Sequence, residues 1–201
     1  YPNTPAAAAG FKRGDMIYKM NGADIVDANY IQLLTSTSLT CTYGQYVDDV
    51  GITNEKTASM TALELNFNPV QFTNIIEHGG HKIGYLFYAQ YISNYNHSID
   101  SVLQIFTENQ ITDLVIDLRY NPGGTIDAAQ HLCSSIAPLS VVNEKNILVR
   151  FQWNDKYQAY WQSKNITDQL QVAFIDTVDQ KLGLNKVWII TGSGTASASE
   201  L

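Results

Sequence analysis

Ser197 follows a buried strand at the point where a helix is expected to start. Val187–Ile190 is apolar enough for a buried strand, and Thr195–Glu200 (TASASE) follows a turn that contains glycine. A serine hydroxyl at a helix N-terminus lies near free backbone N–H groups and the positive end of the helix dipole. If that hydroxyl attacked a carbonyl group, the N–H of Ala198 would point to the developing oxyanion. A serine at this position is well placed to act as a nucleophile.

Two other interpretations of the same residues stay open. Ser197 followed three residues later by Glu200 is also a capping box, in which serine serves only to start a helix. The turn Gly192–Ser197 also resembles a dinucleotide-binding turn with serine in place of the third glycine. The acidic residue that such a fold needs on its next strand would lie after Leu201.

A second loop, Asp117–Gly124 (DLRYNPGG), also joins a buried strand to a helix. Its consecutive glycines, Gly123 and Gly124, allow the backbone to turn its N–H groups outward as an anion-binding nest. Asn-Pro-Gly-Gly is equally a good β-turn with no further role. Arg119 could bind a carboxylate or pair with an acidic neighbour. Two such loops after two strands favour one shared site.

The elements that would position these loops alternate between helix and strand. Such alternation predicts an α/β layer with parallel pairing and functional loops at the strand C-termini. In the helix predicted after Ser98, apolar residues recur at i, i+3, i+4 and i+7. Helices are expected after an N-cap at Ser98, after an N-cap at Thr125, and over Thr167–Leu182. Strands are expected at Ile83–Tyr88, Leu114–Leu118, Ile147–Phe151 and Val187–Ile190.

The N-terminal part gives weaker signals. Asn21–Gly22 predicts a tight turn after a strand at Met16–Met20. The polar segment Gln45–Ala58 predicts an exposed loop or domain junction, and alternation predicts a strand over Met60–Phe67. A helix at Ala28–Leu34, capped by Asp27, and a strand at Thr35–Tyr43 complete this part.

Composition excludes several classes of protein. With 45% hydrophobic and 15% charged residues, the 201-residue chain is expected to fold around a core. A net charge of −7 without a basic cluster argues against nucleic-acid binding. No apolar run is long enough for a membrane span, and no cofactor or metal site is indicated. Cys41 and Cys133 match no zinc spacing and are expected to be buried free thiols.

The four histidines offer no clear general base. His78 and His81 flank two glycines in a turn, which does not suit a helix-borne zinc motif. His131 is expected on the polar side of its helix, and His97 is a surface candidate. A Ser–His–Asp triad with Ser197 stays open but without support.

Three segments together resemble the S41 C-terminal processing peptidases. They are the DLRYNPGG loop, the TASASE string, and Pro5–Gly22, which is similar to the middle of a PDZ domain. The resemblance implies an α/β (α+β) fold, with a ClpP/crotonase-like peptidase core fragment preceded by a truncated PDZ-like module. The implied division is residues 1–58 for the PDZ-like part and 59–201 for the core.

The resemblance also implies roles for residues. Ser197 would be the nucleophile, with an oxyanion hole formed by Ala198 and an amide of Gly123 or Gly124. The base would be a lysine beyond Leu201 in a Ser–Lys dyad, so the chain alone is expected to be inactive. Substrates would be polypeptides or C-terminal peptide tails, and the location a bacterial periplasm or cell surface. The alternatives are a catalytically silent peptide-binding module and a nucleotide-binding domain.

Overall fold

The chain forms two compact units in the computed structural model, Tyr1–Phe67 and Asn68–Leu201. The structure describes residues 3–184 and 186–201. The predicted division after residue 58 would cut a strand, Gly51–Thr61, that belongs entirely to the first unit. Helices and strands occur together, as the α/β (α+β) prediction required, while the PDZ-like character of the first unit stays a prediction.

The first unit is built on an antiparallel sheet. Its elements are α1 (Pro5–Ala8), β1 (Asp15–Met20), β2 (Ala23–Asp24), α2 (Tyr30–Leu34), β3 (Ser38–Val47) and β4 (Gly51–Thr61). The strand order is β2-β1-β3-β4. The predicted turn between β1 and β2 is confirmed, since Asn21 and Gly22 both have positive φ, as a tight two-residue hairpin requires.

Four predictions for this unit are wrong. The segment predicted as a loop, Gln45–Ala58, forms most of the β3–β4 hairpin, whose strands carry polar side chains because they are largely exposed. The strand predicted over Met60–Phe67 ends at Thr61, and residues 62–69 form neither helix nor strand. Helix α2 begins after Asn29 rather than after Asp27, and β3 begins at Ser38 rather than Thr35.

The second unit contains a mixed four-stranded sheet. Its elements are β5 (Val70–His78), β6 (His81–Tyr88), α3 (Asn96–Glu108), β7 (Asp113–Asp117), α4 (Ile126–Ile136), α5 (Leu139–Asn143), β8 (Ile147–Arg150), α6 (Asp155–Ser163), β9 (Gln171–Ala173) and β10 (Val187–Ile190). The order is β10-β7-β6-β5. The pairs β6–β7 and β7–β10 are parallel, as predicted, and β5–β6 is antiparallel.

The core of this unit lies between the sheet and the helices α3 and α4. Its buried residues include Leu86, Ile99, Leu103, Phe106, Leu114, Ile116 and Leu132. The predicted apolar face of α3 is therefore confirmed, although the helix begins at Asn96 instead of after Ser98. Thr125 is the N-cap position of α4, but its side chain makes no capping hydrogen bond. None of the helices in the described part of the chain is long and apolar enough to cross a membrane.

The helix predicted over Thr167–Leu182 is wrong. Thr167–Gln169 is a short 3₁₀ helix, and β9 follows it and pairs antiparallel with β8. Pairing between segments distant in sequence outweighs the local helical pattern here. The amphipathic signal gave no indication of α6, which lies just before this region.

The parallel pairing of β7 and β10 positions the two loops of interest. At their C-terminal ends, Asp117 is the register partner of Ile190. The loop that follows each strand therefore leaves the sheet beside the other.

Candidate active site

Hydrogen bonds join the two loops directly after the strands end. The N–H of Leu118 donates to the carbonyl oxygen of Ile190 at 2.8 Å. The Thr195 hydroxyl then donates to the carbonyl oxygen of Leu118 at 2.6 Å and accepts from the N–H of Gly192 at 3.0 Å. The turn before Ser197 is thus fixed both to itself and to the end of β7.

Ser197 is exposed and has a strained backbone conformation. It is the first residue of a 3₁₀ helix, Ser197–Glu200, and its φ is +57°. The left-handed region costs a residue with a β-carbon roughly 1–2 kcal/mol. Sharp turns of this kind present the nucleophilic serine of α/β-hydrolases to solvent. No hydrogen bond between described residues uses the Ser197 hydroxyl, which leaves it available for attack.

The capping interpretation fails for this hydroxyl. The N-cap position of the 3₁₀ helix is Ala196, and no side chain caps it. Only the reverse half of a capping box is present, in which the N–H of Ser197 donates to Glu200 Oε2 at 3.1 Å. Glu200 therefore holds the backbone of Ser197 while the hydroxyl stays unbound.

Gly123 lies directly against the nucleophile turn. A β-carbon built on Gly123 would lie 2.6 Å from Cβ of Ser197 and 2.9 Å from the backbone nitrogen of Ala198. No real β-carbon is found at such distances, and the φ of Gly123 is +97°. Only glycine fits at this position. The structure therefore brings together the glycine loop and the serine loop that the sequence singled out.

The amides proposed for an oxyanion hole differ in their availability. The N–H of Gly123 donates to Asn121 Oδ1 at 2.9 Å. The N–H groups of Ala198 and Gly124 have no acceptor among the described residues. Gly124 is fixed by its neighbour Tyr91, because a β-carbon on Gly124 would lie 1.9 Å from the Tyr91 carbonyl oxygen. Ala198 and Gly124 are thus the candidates with free donors, and Gly123 serves close packing.

Arg119 is neutralised by an acidic neighbour. Its Nη2 lies 2.6 Å from Oδ2 of Asp117, which is nearly buried at 3% side-chain exposure. The Tyr85 hydroxyl donates to the same oxygen at 2.6 Å. Hydrogen bonds from Arg119, then from Tyr85, lower the pKa of Asp117 to about 2 despite its burial. Of the two roles left open for Arg119, the structure therefore favours the internal ion pair.

The histidines pair with carboxylates away from Ser197. His81 Nδ1 lies 2.7 Å from Asp113 Oδ2, and His131 Nε2 lies 2.8 Å from Asp100 Oδ1. The side chain of His131, predicted on the polar side of its helix, is only 13% exposed and contacts Asp100 of α3. None of the described hydrogen bonds connects a histidine to Ser197, so a Ser–His–Asp triad gains no support. Within residues 3–184 and 186–201, no group of three or more His, Cys, Asp or Glu is arranged to hold a metal ion.

Both cysteines are free thiols. Cys41 is buried as expected, and Cys133, also expected to be buried, is partly buried. Burial raises the pKa of Cys133 to about 11 and raises the pKa of Cys41 as well. Neither thiol is therefore a competing nucleophile at neutral pH.

The sequence shows Asn121 only as the start of an Asn-Pro-Gly-Gly turn. In the structure this side chain is completely buried. A polar residue before Pro-Gly-Gly predicts a turn because that preference is local. Contacts with residues distant along the chain cannot be predicted from the local sequence.

Comparisons with known proteins were consistent with this geometry. The family model described as peptidase family S41 matches residues 82–201, which include both loops. The whole chain aligns at 23% identity with the carboxy-terminal processing protease CtpB of Bacillus subtilis (strain 168), and the alignment covers 38% of that protein. A Bacteroides fragilis NCTC 9343 structure described as an S41 protease matches 99% of the chain at 29% identity, with a TM-score of 0.71 over 52% of its own length.

A photosystem II D1 C-terminal processing protease shares the fold. It matches 98% of this chain at 18% identity, with a TM-score of 0.54 over 49% of its length. The chain therefore spans between about a third and a half of the length of these relatives.

Proposed function

Because the chain belongs to peptidase family S41, we propose that it carries the nucleophile and oxyanion hole of a serine endopeptidase. The proposal rests on one observation above all: the exposed, unbound hydroxyl of Ser197 stands on a strained turn packed against Gly123. Strain at a position held by many surrounding contacts is characteristic of functional sites.

The proposed reaction is acyl transfer followed by hydrolysis. The Ser197 Oγ attacks the carbonyl carbon of a peptide bond and gives its proton to a general base. The oxyanion accepts hydrogen bonds from Ala198 and Gly124, which have free N–H groups. The C–N bond then breaks, the amine leaves with a proton, and water hydrolyses the acyl-enzyme.

The general base is proposed to be a lysine located after Leu201 in the complete protein. This lysine is what the resemblance to the family implies, and a serine without a base is a weak nucleophile. We accordingly expect residues 1–201 alone to hydrolyse peptides at no useful rate.

The finer features also belong to this proposal. The substrates would be polypeptides recognised near their C-terminal tails, and the first unit would be PDZ-like. The names of the relatives, carboxy-terminal processing proteases, support the first point by similarity. The PDZ-like character is supported only by the resemblance of Pro5–Gly22 to the middle of a PDZ domain. Their bacterial origin supports a location in the bacterial cell envelope, at the periplasm or the surface.

Hydrolysis of fluorescein-labelled casein by the complete protein tests the proposal. Ser197→Ala should reduce the rate to background, because it removes the hydroxyl proposed to attack the peptide bond. Ser193→Ala is the matched control, as Ser193 is an exposed serine in the same loop, and it should retain wild-type activity. Casein hydrolysis that survives Ser197→Ala would reject the proposal.

A further inference from the structure

Asn121 connects three segments of the second unit from a fully buried position. Its exposed fraction is 0%. Its side-chain Nδ2 donates to the carbonyl oxygen of Tyr88, at the end of β6, at 2.9 Å. Its Oδ1 accepts from the N–H of Gly123 at 2.9 Å and from the Ser199 hydroxyl at 2.7 Å. Sheet, glycine loop and nucleophile turn therefore meet at one side-chain amide.

The main chain of Asn121 adds a second connection to the nucleophile turn. Its carbonyl oxygen accepts from the N–H of Ala196 at 3.2 Å and lies 3.1 Å from the Ser199 hydroxyl. Ala196 and Ser199 flank Ser197 and Ala198 in sequence. The residues on either side of the nucleophile are thus anchored to Asn121.

Only an amide meets these requirements in so small a space. The site needs one donor toward Tyr88 and one oxygen that accepts two hydrogen bonds, which asparagine supplies. An aspartate would direct a second acceptor at the Tyr88 carbonyl oxygen and would bury a charge. An alanine would leave the N–H of Gly123 without its acceptor and the Ser199 hydroxyl with only the main-chain carbonyl oxygen of residue 121.

We propose that Asn121 is a positioning residue for the reaction at Ser197, acting through Gly123, Ala196 and Ser199. The Asn121 side chain accepts a hydrogen bond from the N–H of Gly123, so that this N–H points away from the cleft. The N–H of Gly124 then remains free to bind the oxyanion. By holding Ala196 and Ser199, it fixes the distance between the Ser197 hydroxyl and the glycine loop. This inference rests on the proposed peptidase function.

The test compares kcat and KM for casein hydrolysis by the complete protein. Asn121→Asp should lower kcat by about 100-fold with KM changed less than about threefold, because small displacements of reacting groups cost rates of this order. Asn109→Asp is the matched control, since Asn109 also donates to a main-chain carbonyl but at the end of α3, and it should leave kcat unchanged. An unchanged kcat in folded Asn121→Asp would overturn the inference.

A pair of variants at Ser199 keeps the inference testable if Asn121→Asp does not fold. Ser199→Ala removes one hydroxyl from the cluster and should lower kcat about tenfold, with a melting temperature within a few degrees of wild type. Ser199→Thr keeps the hydroxyl and should restore kcat to within about threefold. Equal kcat values for the Ala and Thr variants would overturn the inference.

The two proposals fail in different ways. If Ser197→Ala retains hydrolysis, the peptidase function is rejected and the positioning role falls with it. If Ser197→Ala is inactive but the Asn121 and Ser199 variants keep wild-type kcat, the positioning role alone is rejected.

Discussion

Gly123 and Ser197 are in such close contact that the first cannot carry a side chain without displacing the second. A β-carbon on Gly123 would lie 2.6 Å from Cβ of Ser197 and 2.7 Å from the carbonyl oxygen of Ala196. One of these atoms is attached directly to the Ser197 backbone and the other is a main-chain oxygen, so neither can move away by a side-chain rotation.

Gly123→Ala should therefore lower casein hydrolysis by the complete protein by about 100-fold or more, since the nucleophile must shift. Gly80→Ala is the matched control, because Gly80 also has a positive φ, +83°, but no atom within 4 Å of its added β-carbon. Both variants place a β-carbon at a positive φ, and only Gly123→Ala also creates a clash with the nucleophile turn. Equal losses of activity in both would contradict the proposed contact.

The backbone conformation of Ser197 is predicted to lower the stability of the folded protein. Its φ of +57° is unfavourable for any residue with a β-carbon. Ser197→Gly should therefore be more stable than Ser197→Ala by about 1 kcal/mol, while both are inactive. Thermal or urea unfolding of the two variants measures this difference. A glycine variant less stable than the alanine variant would show that the turn is not strained.

The buried carboxylate of Asp117 predicts a specific dependence of stability on pH. Hydrogen bonds from Arg119 and Tyr85 lower the pKa of Asp117 from 3.8 to about 2. Between about pH 4 and 2 the unfolded state therefore binds more protons than the folded state. The contribution of Asp117 to the stability of the fold is complete above about pH 4 and is lost as the pH falls toward 2.

Urea unfolding between pH 2 and 6 should show this loss as a difference between the wild type and Asp117→Asn. The wild type should lose stability more steeply below pH 4, because the asparagine cannot be protonated there. Parallel curves for the two proteins would contradict the assigned ion pair.

The two thiols are predicted to be unreactive in the folded protein. Burial raises the pKa of Cys133 to about 11 and also that of Cys41, so little thiolate is present at pH 7.5. N-ethylmaleimide should modify neither thiol in hours without denaturant and both within minutes in urea, as measured by intact mass. Loss of casein hydrolysis on rapid modification of a native thiol would contradict a serine-only mechanism.

The parts of the site that sequence could predict depend on local signals. The apolar runs of β7 and β10 and the Gly-Gly and TASASE strings specify strand ends followed by turns. The prediction that Val187–Ile190 is buried is wrong, because β10 is the edge strand of the sheet and most of its side chains are exposed. Parallel pairing follows from the alternation with helices, and it brings Asp117 beside Ile190. For these reasons the two loops could be expected at one edge of the sheet.

What sequence could not predict depends on partners distant along the chain. The residues next to Asn121 in sequence predict only a turn. Its proposed positioning role depends on hydrogen bonds with Tyr88 and Ser199, which are distant along the chain. The segment Thr167–Leu182 has a helical pattern, but pairing of β9 with β8 determines its structure. Likewise, sequence could not decide which of Gly123 and Gly124 has a free amide, since that depends on Asn121 Oδ1.

The identity of the nucleophile is tested most directly by mapping a covalent adduct. The complete protein is inhibited with a fluorophosphonate, digested, and the modified residue located by tandem mass spectrometry. We predict one adduct, on the Ser197 hydroxyl, whose extent follows the loss of casein hydrolysis. An inhibited protein that carries its adduct on another residue, with Ser197 unmodified, would contradict the account.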